Sequence, residues 1–261
     1  MTLDLLQYLL GAASGALVGF SLGLVGGGGS ILAVPLLVYL VGVPSPHLAI
    51  GTSALAVAAN ALAGLWNHAR RGHVKWRCAS VYAAAGVAGA FAGSTLGKAL
   101  DGERLLALFA LLMLGVAVLM VVRRGDEGNP QVRLSRENAP KLVAFGAGTG
   151  VLSGFFGIGG GFLVVPGLIA ATGMPILNAV GSSLVAVTAF GLTTAANYAR
   201  SGWVDPPLAA VFVLGGLAGT RAGATAATRL AARRGTLNVV FGTVIALVAG
   251  YVLYRSRGAL L

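Results

Sequence analysis

Charge is what this chain has least of. Charged residues make up 10% of its 261 positions, against about 25% in soluble domains. Hydrophobic residues make up 57%, and the mean hydropathy is +0.87. Those values exclude an ordinary soluble domain and define a polytopic, all-α membrane protein. Acid is scarcer still. The seven acidic residues are Asp4, Asp101, Glu103, Asp126, Glu127, Glu137 and Asp205, all at segment ends or in loops. No carboxylate is left at membrane depth to carry a proton or Na⁺ through its own titration, which disfavours a cation transporter and favours an anion pathway. The single cysteine, Cys78, rules out an internal disulfide. His68, His73 and Cys78 are spaced by five and do not share a helix face, so no metal site is read, and no cofactor is expected. The net charge of +11 does not point to nucleic acid, because the bases sit in short loops between apolar runs, where they set orientation. The first run begins at Leu3 with no basic leader and no small-residue cleavage pattern, so no removable signal peptide is expected.

Glycine, by contrast, is abundant, with 41 residues, and it is arranged. Gly26-Gly-Gly-Gly-Ser-Ile-Leu-Ala-Val-Pro35 recurs as Gly157-Ile-Gly-Gly-Gly-Phe-Leu-Val-Val-Pro166, offset by 131 positions. Each clustered glycine costs a helix about 1 kcal/mol relative to alanine, so each copy should break an apolar segment in two. The helix starting after the break offers N–H groups without intrahelical partners, and glycine lets a ligand approach them. Such a terminus in an apolar medium suits an anion.

The repeat extends through the chain. Gly51–Val74 matches Gly181–Val204 at eleven of 24 positions, and the ladder Gly86, Gly89, Gly93 matches Gly216, Gly219, Gly223. We read residues 1–122 as a first membrane repeat, 123–141 as a polar linker and 142–261 as a second repeat. The runs 30–41 and 160–172 are too short to cross a bilayer. At a 1.5 Å rise they cover roughly 18–20 Å of a core about 30 Å thick. Each repeat therefore opens with a helix, a glycine break and a half-helix, followed by three full helices. That gives eight to ten membrane helices with two glycine-broken half-helix pairs, and an odd number of crossings per repeat makes the repeats inverted. Eight spans in two parallel repeats are the alternative. Twelve bases fall at one set of loops and five at the other, but either arrangement accommodates that bias, so segment length alone discriminates.

The candidate site residues follow from the duplication. Gly28, Gly29, Ser30, Gly159, Gly160 and Gly161 present backbone donors. Thr52 and Ser53, with their counterparts Ser182 and Ser183, start helices after proline-containing turns and serve either as caps or as hydroxyl donors. Asn67 and Asn197 lie at equivalent helix ends, as C-caps, interface residues or ligands. Arg221 lies about 5 Å from the centre of its helix by the 1.5 Å rise. An intramembrane arginine is either a ligand or a snorkelling side chain. For Gly15, Gly19, Gly23 and the two ladders, close helix packing is the expected role. Trp66, Trp76 and Trp203 mark the interface belt. Ser53 or Ser183 with His47, His68 or His73 could suggest an intramembrane hydrolase, but no Ser–His pair is duplicated, and no enzymatic activity is expected.

The motif Gly-x-Gly-Gly-Gly-x-x-x-x-Pro, written twice and followed each time by a proline and a Gly-[Ser/Thr]-Ser, resembles the TauE/SafE family of membrane proteins. The likeness covers nearly the whole chain. Gly157–Gly161 follows the family pattern closely, whereas the first copy departs at Gly27 and Ser30. The resemblance implies a secondary transporter of small anions, sulfite or organosulfonates among them, in a bacterial inner membrane. An anion channel is the alternative. The expected partners are the small anion and the lipid bilayer, with no nucleic acid, and the resemblance leaves room for a homodimer.

Overall fold

The computed structural model describes residues 4–25, 27–122, 129, 132–229 and 234–256. Among these the chain is helical, without a strand. The helices are α1 (Leu5–Val25), the single turn α2 (Ala33–Pro35), α3 (Pro46–Arg70), α4 (Trp76–Ala99), α5 (Gly102–Val122), α6 (Ala139–Phe156), α7 (Gly161–Thr172), α8 (Ile176–Ala199), α9 (Pro206–Arg229) and α10 (Arg234–Arg255). Four of them, in α1, α3, α4 and α8, are long and apolar enough by themselves to cross a bilayer. Glycine ends several helices in the left-handed conformation that a side chain resists: Gly157 after α6, Gly173 after α7, and Gly72 and Gly202 in the turns after α3 and α8. Helix α6 begins at Ala139, inside the stretch read as linker, because Ser135 and Asn138 close a turn and Pro140 fits a first helical turn.

The two half-helices are unlike. Helix α7 is a regular helix of 12 residues. Its counterpart winds as a 3₁₀ stretch over Gly27–Leu32, the short α2, and a π turn over Leu36–Leu40. Pro35 has its counterpart in Pro166 inside the regular α7, so the proline alone does not account for the difference. The chain folds back on α1 as a hairpin, with Gln7 Nε2 donating to Val41 O at 3.1 Å.

Glycine decides which helices meet. A methyl group placed on Gly15 would strike Phe212 O, and one on Gly19 would strike Gly216 O. In the other half, Gly146 meets Tyr82 O at 2.5 Å, and Gly150 meets Gly86 O. Phe212 and Gly216 are the repeat counterparts of Tyr82 and Gly86, so the two seams are copies of each other. In each, the opening helix of one repeat runs parallel to the fourth helix of the other: α1 with α9, and α6 with α4. The repeats are therefore exchanged, not side by side. Helices α3 and α8 cross at the centre. Gly191 lies against Ala54 and Ala58, Gly64 against Leu184, Gly51 against Trp203 and Gly181 against His73, so these two counterparts run antiparallel. Helix α5 pairs with α10. Outside, Leu5, Leu9, Leu96, Leu214 and Leu247 are exposed, as a surface facing lipid tails requires. Inside, Tyr82, Phe109, Phe190, Tyr198 and Phe212 are fully buried.

Candidate substrate site

The second break is built from three left-handed glycines, Gly157, Gly159 and Gly160, with φ of 67°, 63° and 70°. It sits where α3 and α8 cross. A methyl group on Gly159 would lie 2.8 Å from Val57 Cγ1 and 3.3 Å from Val187 Cγ1, a counterpart pair from the two repeats. Gly157 abuts Ile50, and Gly160 abuts Ser153, with 2.9 Å from the added carbon to its Oγ. The break is thus near the middle of both long helices. No side chain caps α7, whose N-cap is Gly160. Gly160 O accepts from Leu163 N and Val164 N at 2.8 Å, which starts the helix and leaves its leading N–H groups facing the break.

The first break is brought to the same place. Its 3₁₀ stretch contacts α7 and α8. Gly28, Gly29 and Ser30 lie in that stretch. Gly29 backs onto α1, 2.5 Å from Leu22 N and 2.7 Å from Ser21 Cβ for an added methyl group, and Ser30 is buried. Gly29, Ser30, Gly159, Gly160 and Gly161 are buried, and Gly28 lies in the 3₁₀ stretch that contacts α7.

The hydroxyl residues are placed differently from the expectation. Helices α3 and α8 begin at Pro46 and Ile176, so the four hydroxyls sit in the second turn and cap nothing. The earlier start has a plain cause, because Pro46 fits a first helical turn and Pro175 is held extended just outside. Ser53 Oγ donates to Ile50 O at 3.0 Å and Ser183 Oγ to Val180 O at 2.8 Å. Thr52 Oγ1 accepts from Asp205 N at 3.0 Å, and Ser182 Oγ accepts from Lys75 N at 2.9 Å. Each of this second pair fastens the turn before the fourth helix of the opposite repeat, α9 or α4.

Asn197 and Asn67 have diverged in environment. Asn197 is buried and central to a cluster in which its Nδ2 donates to Ser94 Oγ at 2.7 Å and Thr95 Oγ1 at 3.0 Å. Lys98 Nζ donates to Asn197 Oδ1 at 2.8 Å, to Asn197 O and to Ser201 Oγ. This ties α4 to α8 at one end of the bundle. Asn67 is exposed. Arg221 is also exposed, on a helix that turns Gly215, Gly219 and Gly223 toward α1, so it lies outside the buried region. His47 lies against Trp203, with ring centroids 4.7 Å apart, and the rings of His68 and His73 face each other at 5.7 Å. The hydrogen bonds of Ser53 and Ser183 go to backbone carbonyls and not to these rings.

Two polar groups near the breaks were missed in the sequence. Ser153 Oγ, beside Gly160, is buried without a hydrogen-bond partner. So are both Oδ1 and Nδ2 of Asn60, which is 3% exposed. Asn60 lies on α3 one turn beyond Val57, and its amide fills the space that Gly216 leaves open. Its repeat counterpart is Phe190, which fills the same space at Gly86. That amide-for-ring mismatch at mid-helix was the available signal.

A duplicated helical bundle with two glycine-broken helices, one break set at the crossing of its long central pair, is an architecture that membrane transporters use. The profile of the "Sulfite exporter TauE/SafE" family matches residues 11–252, and the chain belongs to that family. A "Probable membrane transporter protein" of Xylella fastidiosa (strain 9a5c) is 52% identical over 263 residues, covering 100% of this chain and 99% of the relative. The Bacillus subtilis "Probable membrane transporter protein YdhB" is 29% identical, over 80% of this chain and 85% of its own length. A Haemophilus influenzae protein of the same description is 33% identical over 74% of each. No solved structure matches the chain. The protein is a multi-pass membrane transporter of the TauE/SafE family.

Proposed function

We propose that this transporter moves a small sulfur oxyanion or organosulfonate across a bacterial inner membrane by alternating access. One observation carries the reading: the second glycine break sits where α3 and α8 cross, the 3₁₀ stretch of the first contacts α7 and α8 beside it, and the α7 terminus there has no side-chain cap. Backbone donors of Gly159–Gly161 and of Gly28–Ser30 bind the anion, with the partnerless Ser153 hydroxyl beside Gly160 and the partnerless Asn60 amide one turn along α3 from Val57, which Gly159 faces. A helix terminus favours negative charge, and its donors are already oriented. Sulfonate and sulfite oxygens accept several such hydrogen bonds at once.

The antiparallel run of α3 and α8 supports an inverted arrangement, since these are counterparts in the two repeats. The linker, the α3–α4 turn and the end of α7 then share one face, which carries the larger group of bases and is cytoplasmic. Rocking one exchanged unit against the other exposes the crossing to each side in turn. The cluster around Asn197 and Lys98 closes one entrance, while Asn67 at the equivalent entrance is exposed.

Reconstitution into liposomes tests the proposal. Uptake is measured for sulfite, sulfoacetate, taurine and thiosulfate. We expect saturable flux of at least one, with counterflow, which a channel does not give. Gly160→Val should abolish that flux while the purified protein keeps its helical content and elution profile, because Val meets Ser153 and cannot hold φ near 70° without strain. Full transport by this variant removes the break from the pathway.

A further inference from the structure

Among the described residues, seven carry a buried side-chain nitrogen or oxygen with no hydrogen-bond partner. Four of the seven stand on the two central helices: Asn60 and His68 on α3, Thr194 and Tyr198 on α8. Their spacing is regular. Val57 and Val187, the counterpart pair against Gly159, mark the same point on each helix. Asn60 and His68 lie three and eleven positions beyond Val57, and Thr194 and Tyr198 lie seven and eleven positions beyond Val187. Steps of that size keep to one face of a helix. Each stripe therefore starts at the second glycine break and runs toward the C-terminal end of its helix. Eleven residues cover roughly 16 Å, about half of the hydrocarbon core.

Because α3 and α8 run antiparallel, the stripes lead to opposite ends of the bundle. The α8 stripe ends at the Asn197–Lys98 cluster. The α3 stripe ends where the His68 and His73 rings face each other, and Nδ1 of His73 is unbonded as well.

Helix packing does not demand these unbonded atoms. A helical threonine can donate to the carbonyl four residues back. Thr188 and Thr193 on α8 do so, at 2.7 and 2.8 Å. Thr194, next in the chain and 1% exposed, does not. Asn197 and Tyr198 are adjacent and both buried, yet only the asparagine is bonded. The positions themselves accept apolar residues, since Phe190 is the counterpart of Asn60 and Gly64 that of Thr194. An unpaired buried polar group is unfavourable, and lipid supplies no water to relieve it.

We propose that the two stripes are the two halves of the anion's route. Asn60 and His68 lead from the glycine break to one face of the membrane, and Thr194 and Tyr198 lead to the other. This rests on the transport reading above and adds the path to it. Amide, imidazole and hydroxyl groups donate to sulfite or sulfonate oxygens without adding a fixed charge. A row of such donors lets an anion enter, step along and leave.

The test uses the full-length protein in proteoliposomes, with single cysteines in a Cys78→Ser background. The probe is a membrane-impermeant methanethiosulfonate that itself bears a sulfonate. Thr194→Cys should react at least tenfold faster than Thr193→Cys, one position off the stripe, and from the face that bears Asp4. Counterflow is then measured with whichever of the four anions above the parent carries. Thr194→Val/Tyr198→Phe should lower that flux at least fivefold. Its unfolding midpoint should equal or exceed the parent's, because both changes remove a hydroxyl that has no partner. Thr193→Val should transport as the parent does. If none of the four anions moves in the parent, the transport reading falls, and the labelling still decides the route. The route is overturned if Thr194→Cys labels no faster than Thr193→Cys, if it labels only from the linker's face, or if the double variant carries the anion at the parent's rate.

Discussion

Asn60 has an uncommon position. Its amide lies two residues from the midpoint of α3, buried, with neither Oδ1 nor Nδ2 bonded within the protein. Leaving a buried polar group unpaired costs about 1–3 kcal/mol, and lipid offers no water to relieve it. The repeat demonstrates that the position accepts an apolar side chain, because Phe190 stands there in the other half. Under the transport reading proposed above, we propose that Asn60 is held at that cost as a ligand for the anion that passes. Asn60→Leu should therefore raise the thermal midpoint of the detergent-solubilised protein, by the equivalent of about 1–3 kcal/mol, while lowering transport severalfold. A variant that gains stability and transports like the parent would make Asn60 a packing residue only.

At the scale of the helix, the seams α1–α9 and α4–α6 depend on backbone meeting backbone. Gly19→Val would drive its side chain into Gly216 of α9. Overpacking of this kind costs about 1–3 kcal/mol and sometimes more, so the unfolding midpoint should fall sharply or the protein should not survive extraction. Gly148 provides the contrast. It is helical and exposed, with nothing within 4 Å of an added carbon. Gly148→Ala should be neutral or stabilising by up to about 1 kcal/mol. Equal melting of the two variants would mean that the seams do not hold the bundle together. The ladders themselves were legible in the sequence, because glycine at every third or fourth position marks a helix face for close approach. Their partners were not. A repeat reads as a self-contained unit, and nothing local says that α1 belongs with α9. The hydroxyl pairs were misread for a similar reason. Thr52 and Ser182 look like caps in sequence, but the groups they fasten, Asp205 and Lys75, are more than a hundred residues away. The glycine breaks were legible because clustered glycine disrupts a helix wherever the chain goes.

The whole molecule has two ends. Gln7 and Val41 meet at one of them, with Trp203 close to Gly51; Asn129, Gly173 and His73 gather at the other. If the repeats are inverted, Asp4 and the linker face opposite sides. Single cysteines introduced as Asp4→Cys and Glu137→Cys, in a Cys78→Ser background, should label from opposite faces of intact cells with a membrane-impermeant maleimide. Labelling from the same face would sink the inverted arrangement and restore eight spans in parallel repeats. Arrangement by exchange was beyond sequence reading altogether, since charge bias fits both alternatives.

Exchange also sets an order of events at the ribosome. The glycine face of α1 leaves the exit tunnel early, yet the helix it must embrace begins only at Pro206, roughly two hundred residues later. Until then that face borders lipid, or whatever insertion factor shields it. The α4–α6 pair suffers a far shorter delay, with only α5 and the linker between its members. The nascent chain can thus seat α6 against α4 well before α1 is claimed, and a segment that enters the bilayer ahead of its partner by most of the chain becomes one of the last to find its place.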